Sequence, residues 1–284
     1  MTQEHTAPLA NTLGIDSKQG MKGCDVLIHA AADTQHGRGT AQQKRTNEDG
    51  TRTVFEAARS AGIRKAIHIS TESVLAAGAP LVNVDETHPL PRKPAGEYSR
   101  SKGVAENIAL AFNSTDFKVV ALRPRFVWGR DDTTALPTIV AAVRAGQFAW
   151  ISGGTYLTST IHIGNLCAAI ERAIQRGRGG EVYFVADDEP VQFRHFLTQL
   201  LETQGIQAPD KSVPRAVLRV VAHMGDLIGA VSGGRIKVPL TLQSFATSAV
   251  DITLNIEKAR KELDYVPVIS REQGLYELRA VANL

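Results

Sequence analysis

The stretch Lys65-Ala66-Ile67-His68-Ile69-Ser70-Thr71 decides the architecture of this chain. Ala66 to Ile69 is a short, mostly apolar run with β-branched residues, and it follows the turn signal Ala61-Gly62. That combination reads as a buried strand. Two runs of the same kind, Val26 to Ile28 and Val119 to Leu122, lie before and after it, and helical stretches at Arg45 to Ser60 and Ser99 to Asn113 fill the intervals. Within the first of these, Thr51 to Ala58 carries apolar residues at helical spacing, as a helix packing on a sheet should. Strand and helix in alternation predict an α/β fold, a doubly wound parallel sheet covered by helices. In such a sheet ligands bind outside the carboxyl ends of the strands. Ser70 and Thr71 sit at such an end, where a hydroxyl can hydrogen-bond a substrate oxygen. The same pair could equally serve as a turn or a helix cap.

Further along, Glu97-Tyr98-Ser99-Arg100-Ser101-Lys102-Gly103-Val104-Ala105-Glu106 places a phenol and an ammonium four positions apart on a helix. Residues at that spacing share one helical face. A neighbouring positive charge favours the phenolate, so Lys102 is expected to lower the Tyr98 pKa, as a base for an alcohol proton requires. Taken alone, a Tyr-x-x-x-Lys pair also occurs on solvated helices. Its combination with the hydroxyls at the end of the preceding strand is far more specific than either piece.

The 284 residues allow one large or two small domains, and 43% hydrophobic content can supply a sizeable core. A net charge of +3, with no clustering of basic and aromatic residues, gives no argument for a nucleic-acid partner. Cys24 and Cys167 lie in apolar stretches without metal spacing and read as core thiols of a reducing, cytoplasmic compartment. The eight histidines form no ligand pattern, so no metal site is expected. His68 and His162 lie among apolar residues and read as satisfied core or edge histidines. No signal peptide is visible, and no apolar run of about eighteen residues predicts a membrane span.

The order of these pieces resembles the extended short-chain dehydrogenase/reductase family, the NAD-dependent epimerase/dehydratase group, from about Met21 to about Tyr276. Gly23 to Ala32 is similar to the strand and small-residue turn beneath the cofactor, and the segment Asn47 to Ala58 to the helix with the family's structural asparagine. Ser70-Thr71, Tyr98 with Lys102, Leu122 to Gly129 and Thr160 to Ala169 follow in the family's order. Gly180 to Val191 and Lys258 to Pro267 are most similar to the 3β-hydroxysteroid and sterol dehydrogenase branch. The resemblance implies an NAD(P)-dependent oxidoreductase acting on a secondary alcohol or ketone, 3β-hydroxysteroid or sterol-like. Tyr98 would be the proton-transfer group and Lys102 its partner, also holding the nicotinamide ribose. Thr71 would steady the reacting oxygen, with Ser70 as fallback. Ala30, Ala31, Ala32, Asn47, Ser70, Lys102, Pro124 and Val127 would form the cofactor site, for NAD or NADP.

The chain departs from that pattern at one place. No glycine-rich turn between an apolar strand and a helix is present to cradle a pyrophosphate. Met1 to Gly20 is polar and unpatterned, and Gly37-Arg38-Gly39 and Gly177-Arg178-Gly179-Gly180 read as surface loops. The resemblance thus starts near a third strand, leaving out roughly sixty residues of the doubly wound fold. The expected organisation is a partial Rossmann-like cofactor and catalytic domain over residues 1–130, to which 158–188 return. Residues 131–157 and 189–284 would form a smaller, mostly helical substrate lobe. There, Thr133 to Gln147 and Ile161 to Arg176 read as helices, and the loop Ala76 to Glu97 as a connection bordering the pocket or simply crossing the surface. The apolar stripe within Pro214 to Val231 is expected to pack into the lobe's core, with a lid or interfacial membrane contact as the alternative. An open sheet edge would favour a homodimer. Two other readings remain at this stage: a nucleotide-sugar epimerase or dehydratase, and a non-catalytic remnant that no longer binds dinucleotide.

Overall fold

The computed structural model describes residues 20–35, 41–231 and 241–282. The opening residues and Gly37-Arg38-Gly39, discussed above, fall outside them. In chain order the strands are β1 (Val26–His29), β2 (Lys65–Ile69), β3 (Leu81–Val84), β4 (Lys118–Pro124), β5 (Val127–Trp128), β6 (Trp150–Ile151), β7 (Leu157–Thr158), β8 (Ile161–His162), β9 (Val182–Val185), β10 (Val191–Gln192), β11 (Ser212–Val213) and β12 (Ile252–Leu254). The helices are α1 (Ala41–Lys44), α2 (Gly50–Ser60), α3 (Glu97–Ala111), α4 (Ala135–Arg144), α5 (Ile163–Arg176), α6 (Phe193–Glu202), α7 (Arg215–Val231), α8 (Leu242–Ser248) and α9 (Arg271–Ala282).

The main sheet runs β1-β2-β4-β9, every pair parallel, with Ala66 opposite Val119 and Leu122 opposite Tyr183. Alternation along a strand sends successive side chains to opposite faces. Ala66 and Val119 therefore meet Phe55 of α2 and Ala109 of α3 on one side. Ile67, Val120 and Leu122 meet Leu166, Ala169 and Ala173 of α5 on the other. Both faces are covered, which is why these strands read as continuous apolar runs rather than alternating ones. Phe55 is completely buried, and burial of a side chain that size stabilises by about 2 kcal/mol. The far edge of β1 pairs with no strand among the described residues, and Ile28 on it is 49% exposed.

A second sheet, β10-β7-β12-β3, and an aromatic cluster of Trp128, Trp150 and Phe196 with the leucines of α6 and α9 complete the body. Several expectations change here. The Ala76 to Glu97 connection contains β3, paired in parallel with β12. Leu81-Val82-Asn83-Val84 is too short to announce a strand, and Asn83 adopts a left-handed φ of 49°, so local signals are mixed. Of the Gly177 to Gly180 stretch, Gly177 is buried at the end of α5, and Arg178 to Gly180 form the surface turn, with Gly180 at φ 89°. Cys24 is half-buried, and Cys167 is exposed because α5 turns Asn165, Leu166, Ala169 and Ala173 inward. The α7 stripe is not core: Val217, Val220, Val221, Met224, Leu227 and Ile228 are exposed, while Leu218 and Ala222 pack on Phe245 and Ala249. The helix is apolar on more than one face, and only one of those faces meets α8.

Candidate active site

The carboxyl end of β2 and the first turns of α3 converge. Ser70 extends the sheet by donating its N–H to the Leu122 carbonyl at 2.8 Å. Thr71 then turns the chain and caps the short helical turn Glu72–Leu75, accepting from the Ser73 N–H at 3.2 Å. Helix α3 starts at Glu97 with no cap from its own preceding side chain. Gln243 of α8 instead accepts the Ser99 N–H through Oε1 at 3.1 Å, satisfying one of the donors every helix start leaves open. A Cβ on Gly96 would lie 2.7 Å from the Gln243 Cβ, so glycine there admits the approach.

Tyr98, half-buried on the first turn of α3, hydrogen-bonds the Thr71 side chain. Lys102, one turn later and 3% exposed, donates from Nζ to the Ile69 carbonyl at 2.7 Å. The spacing thus delivers phenol and ammonium to the same strand end. Burial lowers the Lys102 pKa to about 8, and Glu106 acts against that shift. The Tyr98 pKa moves up. Burial is the main cause, the Glu72 carboxylate adds to it, and the Thr71 hydrogen bond opposes it. The depression expected from Lys102 is therefore not found in the free chain, where burial and Glu72 dominate.

Glu72 escaped the sequence reading, although a carboxylate directly behind Ser70-Thr71 in an apolar neighbourhood was a usable signal. It is 3% exposed and paired with Arg125 Nη1 at 2.5 Å. A second buried pair, Glu106 with Arg123 at 2.6 and 2.9 Å, clamps α3 to β4. Between the two arginines the chain reaches Pro124, then takes a positive φ of 42° at Phe126. That unusual backbone lets Arg125 enter the polar network while Phe126 packs against Phe193 and Phe196.

The remaining cofactor candidates are placed as follows. Ala30 and Ala31 are exposed and Ala32 half-buried in the coil after β1. Asn47 sits in a wide helical turn, Arg45–Asp49, of the kind often found at functional sites. Its amide is spent on the Asp33 N–H (2.7 Å), the Asp33 carbonyl and Ser101 Oγ (both 3.1 Å). It fastens the loop after β1 to α3. Among the described residues the buried Ser70 hydroxyl finds no hydrogen-bond partner, a cost that a ligand oxygen would relieve. Pro124 is buried and Val127 half-buried beside this end of the sheet. The donor set, one orphaned hydroxyl and one ammonium beside an exposed coil, fits the nicotinamide–ribose half of a dinucleotide.

Beneath it, His29 bonds Thr51 Oγ1 through Nε2 at 3.0 Å and stacks on His68 at 5.4 Å. His68 is a core residue as expected but not a satisfied one, since neither ring nitrogen has a partner. His162 is also core; its Nδ1 accepts from the Gly164 N–H at 3.2 Å, and its Nε2, 3.9 Å from Glu277 Oε2, has no hydrogen-bond partner among the described residues.

Residues 15–215 match the model of the 3-beta hydroxysteroid dehydrogenase/isomerase family. A 4-hydroxy-2-methyl-3-oxo-4-farnesyl-3,4-dihydroquinoline-1-oxide ketoreductase from Stigmatella aurantiaca is 46% identical, across 92% of this chain and 78% of that protein. 3beta-hydroxysteroid-dehydrogenase/decarboxylase isoform 1 from Arabidopsis thaliana is 30% identical, over 90% of this chain and 62% of its own length. Among solved structures, UDP-glucuronic acid 4-epimerase from Bacillus cereus in complex with UDP-glucuronic acid and NAD superposes with a TM-score of 0.70 at 19% identity, covering 98% of this chain and 80% of that one. That likeness concerns the fold.

Proposed function

Because this chain belongs to the 3-beta hydroxysteroid dehydrogenase/isomerase family, we propose that it interconverts a ketone and a secondary alcohol carried on a bulky apolar skeleton, of the prenylated-ring or sterol kind. It is an NAD(P)-dependent oxidoreductase. The names of its relatives support the choice of skeleton: one acts on a farnesylated quinoline ketone, another on a 3β-hydroxysteroid. The observation that carries the proposal is the meeting of Tyr98, Thr71 and Lys102 at the end of β2.

In the reductive direction Tyr98 gives its phenolic proton to the carbonyl oxygen as charge develops there. Thr71 lies beside the phenol and steadies that oxygen. Lys102, held under the strand end by the Ile69 carbonyl, stabilises the phenolate left behind and bonds the nicotinamide ribose. Ser70 offers its unpartnered hydroxyl to the same ligand. Pro124 and Val127 form the apolar wall, and the Ala30 to Ala32 backbone the floor. A bound dinucleotide supplies the hydride, which is chemistry of the cofactor itself. Arg125 is committed to Glu72, Thr158 and the Thr247 carbonyl, so it is not free to hold a sugar diphosphate.

The second sheet with helices α4 and α6 to α9 makes the substrate lobe in this reading. No helix among the described residues is long and apolar enough to cross a membrane, and the two free thiols suit a reducing cytoplasm. The edge of β1, unpaired among the described residues, supports a homodimer, which sedimentation would test.

The function is tested by titrating the purified protein with NAD(H) and NADP(H) in a calorimeter, then following nicotinamide oxidation with an apolar ketone. Tyr98→Phe should keep dinucleotide binding and lose about 100-fold or more in turnover. Failure to bind either dinucleotide at millimolar concentration would sink the proposal.

A further inference from the structure

Tyr98 is the second residue of α3, and the first turn of a helix has the fewest bonds of its own. At an ordinary start a Ser, Thr, Asp or Asn side chain at the cap position accepts the N–H of the second or third helical residue. Here Gly96 holds the cap position in an extended conformation and has no side chain to offer. The third helical residue is Ser99, and its N–H goes to Gln243 Oε1 of α8 at 3.1 Å. The cap of the helix that carries Tyr98 therefore comes from a residue 144 positions further along the chain.

That bond fixes the Gln243 amide. With Oε1 on the Ser99 N–H, the other end of the amide, Nε2, is buried and finds no hydrogen-bond partner among the described residues. The side chain is 1% exposed, and an unpaired buried donor is costly. An apolar residue would exchange one unpaired donor for another, so stability alone gives little reason for a glutamine. Its oxygen does have a reason, because nothing else printed at the start of α3 reaches the Ser99 N–H.

The element that supplies the cap is itself anchored. Arg125 Nη2 donates to the Thr247 carbonyl at 3.0 Å, and Thr241 Oγ1 accepts the Ser244 N–H at 3.2 Å. Phe245 and Ala249 pack against Leu218 and Ala222 of α7. On the other side of Tyr98 the Ala95 N–H donates to the Ala76 carbonyl at 2.8 Å, which ties the entry of α3 to the end of the helical turn capped by Thr71. The phenol thus stands between two anchors, one from the strand end that carries Thr71 and one from α8.

We propose that Gln243 is a positioning residue, which caps the Tyr98 helix from the substrate lobe and through the α3 backbone sets the reach of the phenol to the reacting oxygen. This deepens the oxidoreductase reading and rests on it for the chemistry. A displacement of about 1 Å in a reacting group can cost on the order of 100-fold in rate.

The test pairs a loss with a rescue. Gln243→Leu removes the acceptor and keeps an apolar bulk. Its kcat for ketone reduction should fall about 10- to 100-fold, with KM for the dinucleotide unchanged. The solvent deuterium isotope effect on kcat should rise, because proton transfer is the step that suffers. The double variant Gly96→Ser with Gln243→Gly moves the acceptor to the cap position, where the backbone is already extended. Glycine at 243 also removes the Cβ that a side chain at 96 would meet at 2.7 Å. Most of the lost rate should return in this variant. An unchanged kcat in Gln243→Leu overturns the proposal, as does a loss shared equally with KM for the dinucleotide, or one that the serine does not restore.

Should Gln243→Leu not fold, amide hydrogen exchange at Ser99 decides, in the wild type and in the double variant. The Ser99 N–H should be protected in both, and exchange at the rate of an unprotected amide in either one refutes the cap. Exchange needs neither substrate nor cofactor, so a failed cap and a failure to bind dinucleotide are read separately.

Discussion

Replacing His29 by glutamine should flatten the acid limb of this protein's stability. Burial is the main force that pushes the His29 pKa from 6.5 down to about 4, and the positive charge of Lys102 adds to it. The ring is 3% exposed, stacked on His68 and bonded to Thr51, so the folded state holds it neutral. The unfolded chain binds a proton to this histidine below about pH 6.5 and the folded chain does not until about pH 4, so stability falls as pH drops through that window. At ~1.36 kcal/mol per pH unit the loss is about 3 kcal/mol. His68 acts in the same direction, pushed well below its ordinary value by burial, Lys102 and His29. Urea unfolding of wild type and His29→Gln, measured at intervals between pH 7 and 4, gives the difference at each pH. Carboxylates titrating in the same range largely cancel in that difference. The variant should start less stable at pH 7 and draw level with or overtake the wild type near pH 4. A gap that stays constant across the range would show that His29 is not held neutral, and the argument from burial would fail.

Three further outcomes follow from packing and charge. Glu106→Gln should destabilise by about 3 to 5 kcal/mol because Arg123 is left uncompensated inside, and the double change with Arg123→Met should recover most of that loss, both read by chemical unfolding. Gly274→Ala should cost about 1 to 3 kcal/mol, since its Cβ would stand 2.7 Å from both the His162 and Trp128 rings; an unchanged thermal midpoint would contradict that contact. Leu227→Lys on the outer face of α7, where Leu227 is 65% exposed, should alter unfolding free energy by less than about 0.5 kcal/mol. A large loss there would mean that this face is covered.

The pairing of Tyr98 with Lys102 was readable because helical spacing is local. Four positions bring Tyr98 and Lys102 to one face whatever else the chain does, and a strand that ends in hydroxyls announces where a ligand can lie. The apolar runs at Ala66 to Ile69 and Val119 to Leu122 were readable for a similar reason, since a strand covered on both faces is apolar along most of its length. The exposure of α7 and Cys167 was not. Apolar residues mark what could be buried, but which stripe finds a partner depends on elements far away in the chain. β3 was hidden as well, because its partner β12 lies some 170 residues onward and four residues carry too little pattern of their own.

Sequence alone determined the parallel α/β architecture and the shared helical face of Tyr98 and Lys102, because periodicity and spacing are properties of a segment and survive without its surroundings; the family was legible as a resemblance carried by the order of those segments. Only the tertiary structure decided how those groups are charged. Glu72 and Arg125 are 53 residues apart, and the site's electrostatics come from their meeting in a place water does not reach. That meeting places a fixed carboxylate beside the phenol, and together with burial it moves the Tyr98 pKa up, which no local pattern around Tyr98 announces.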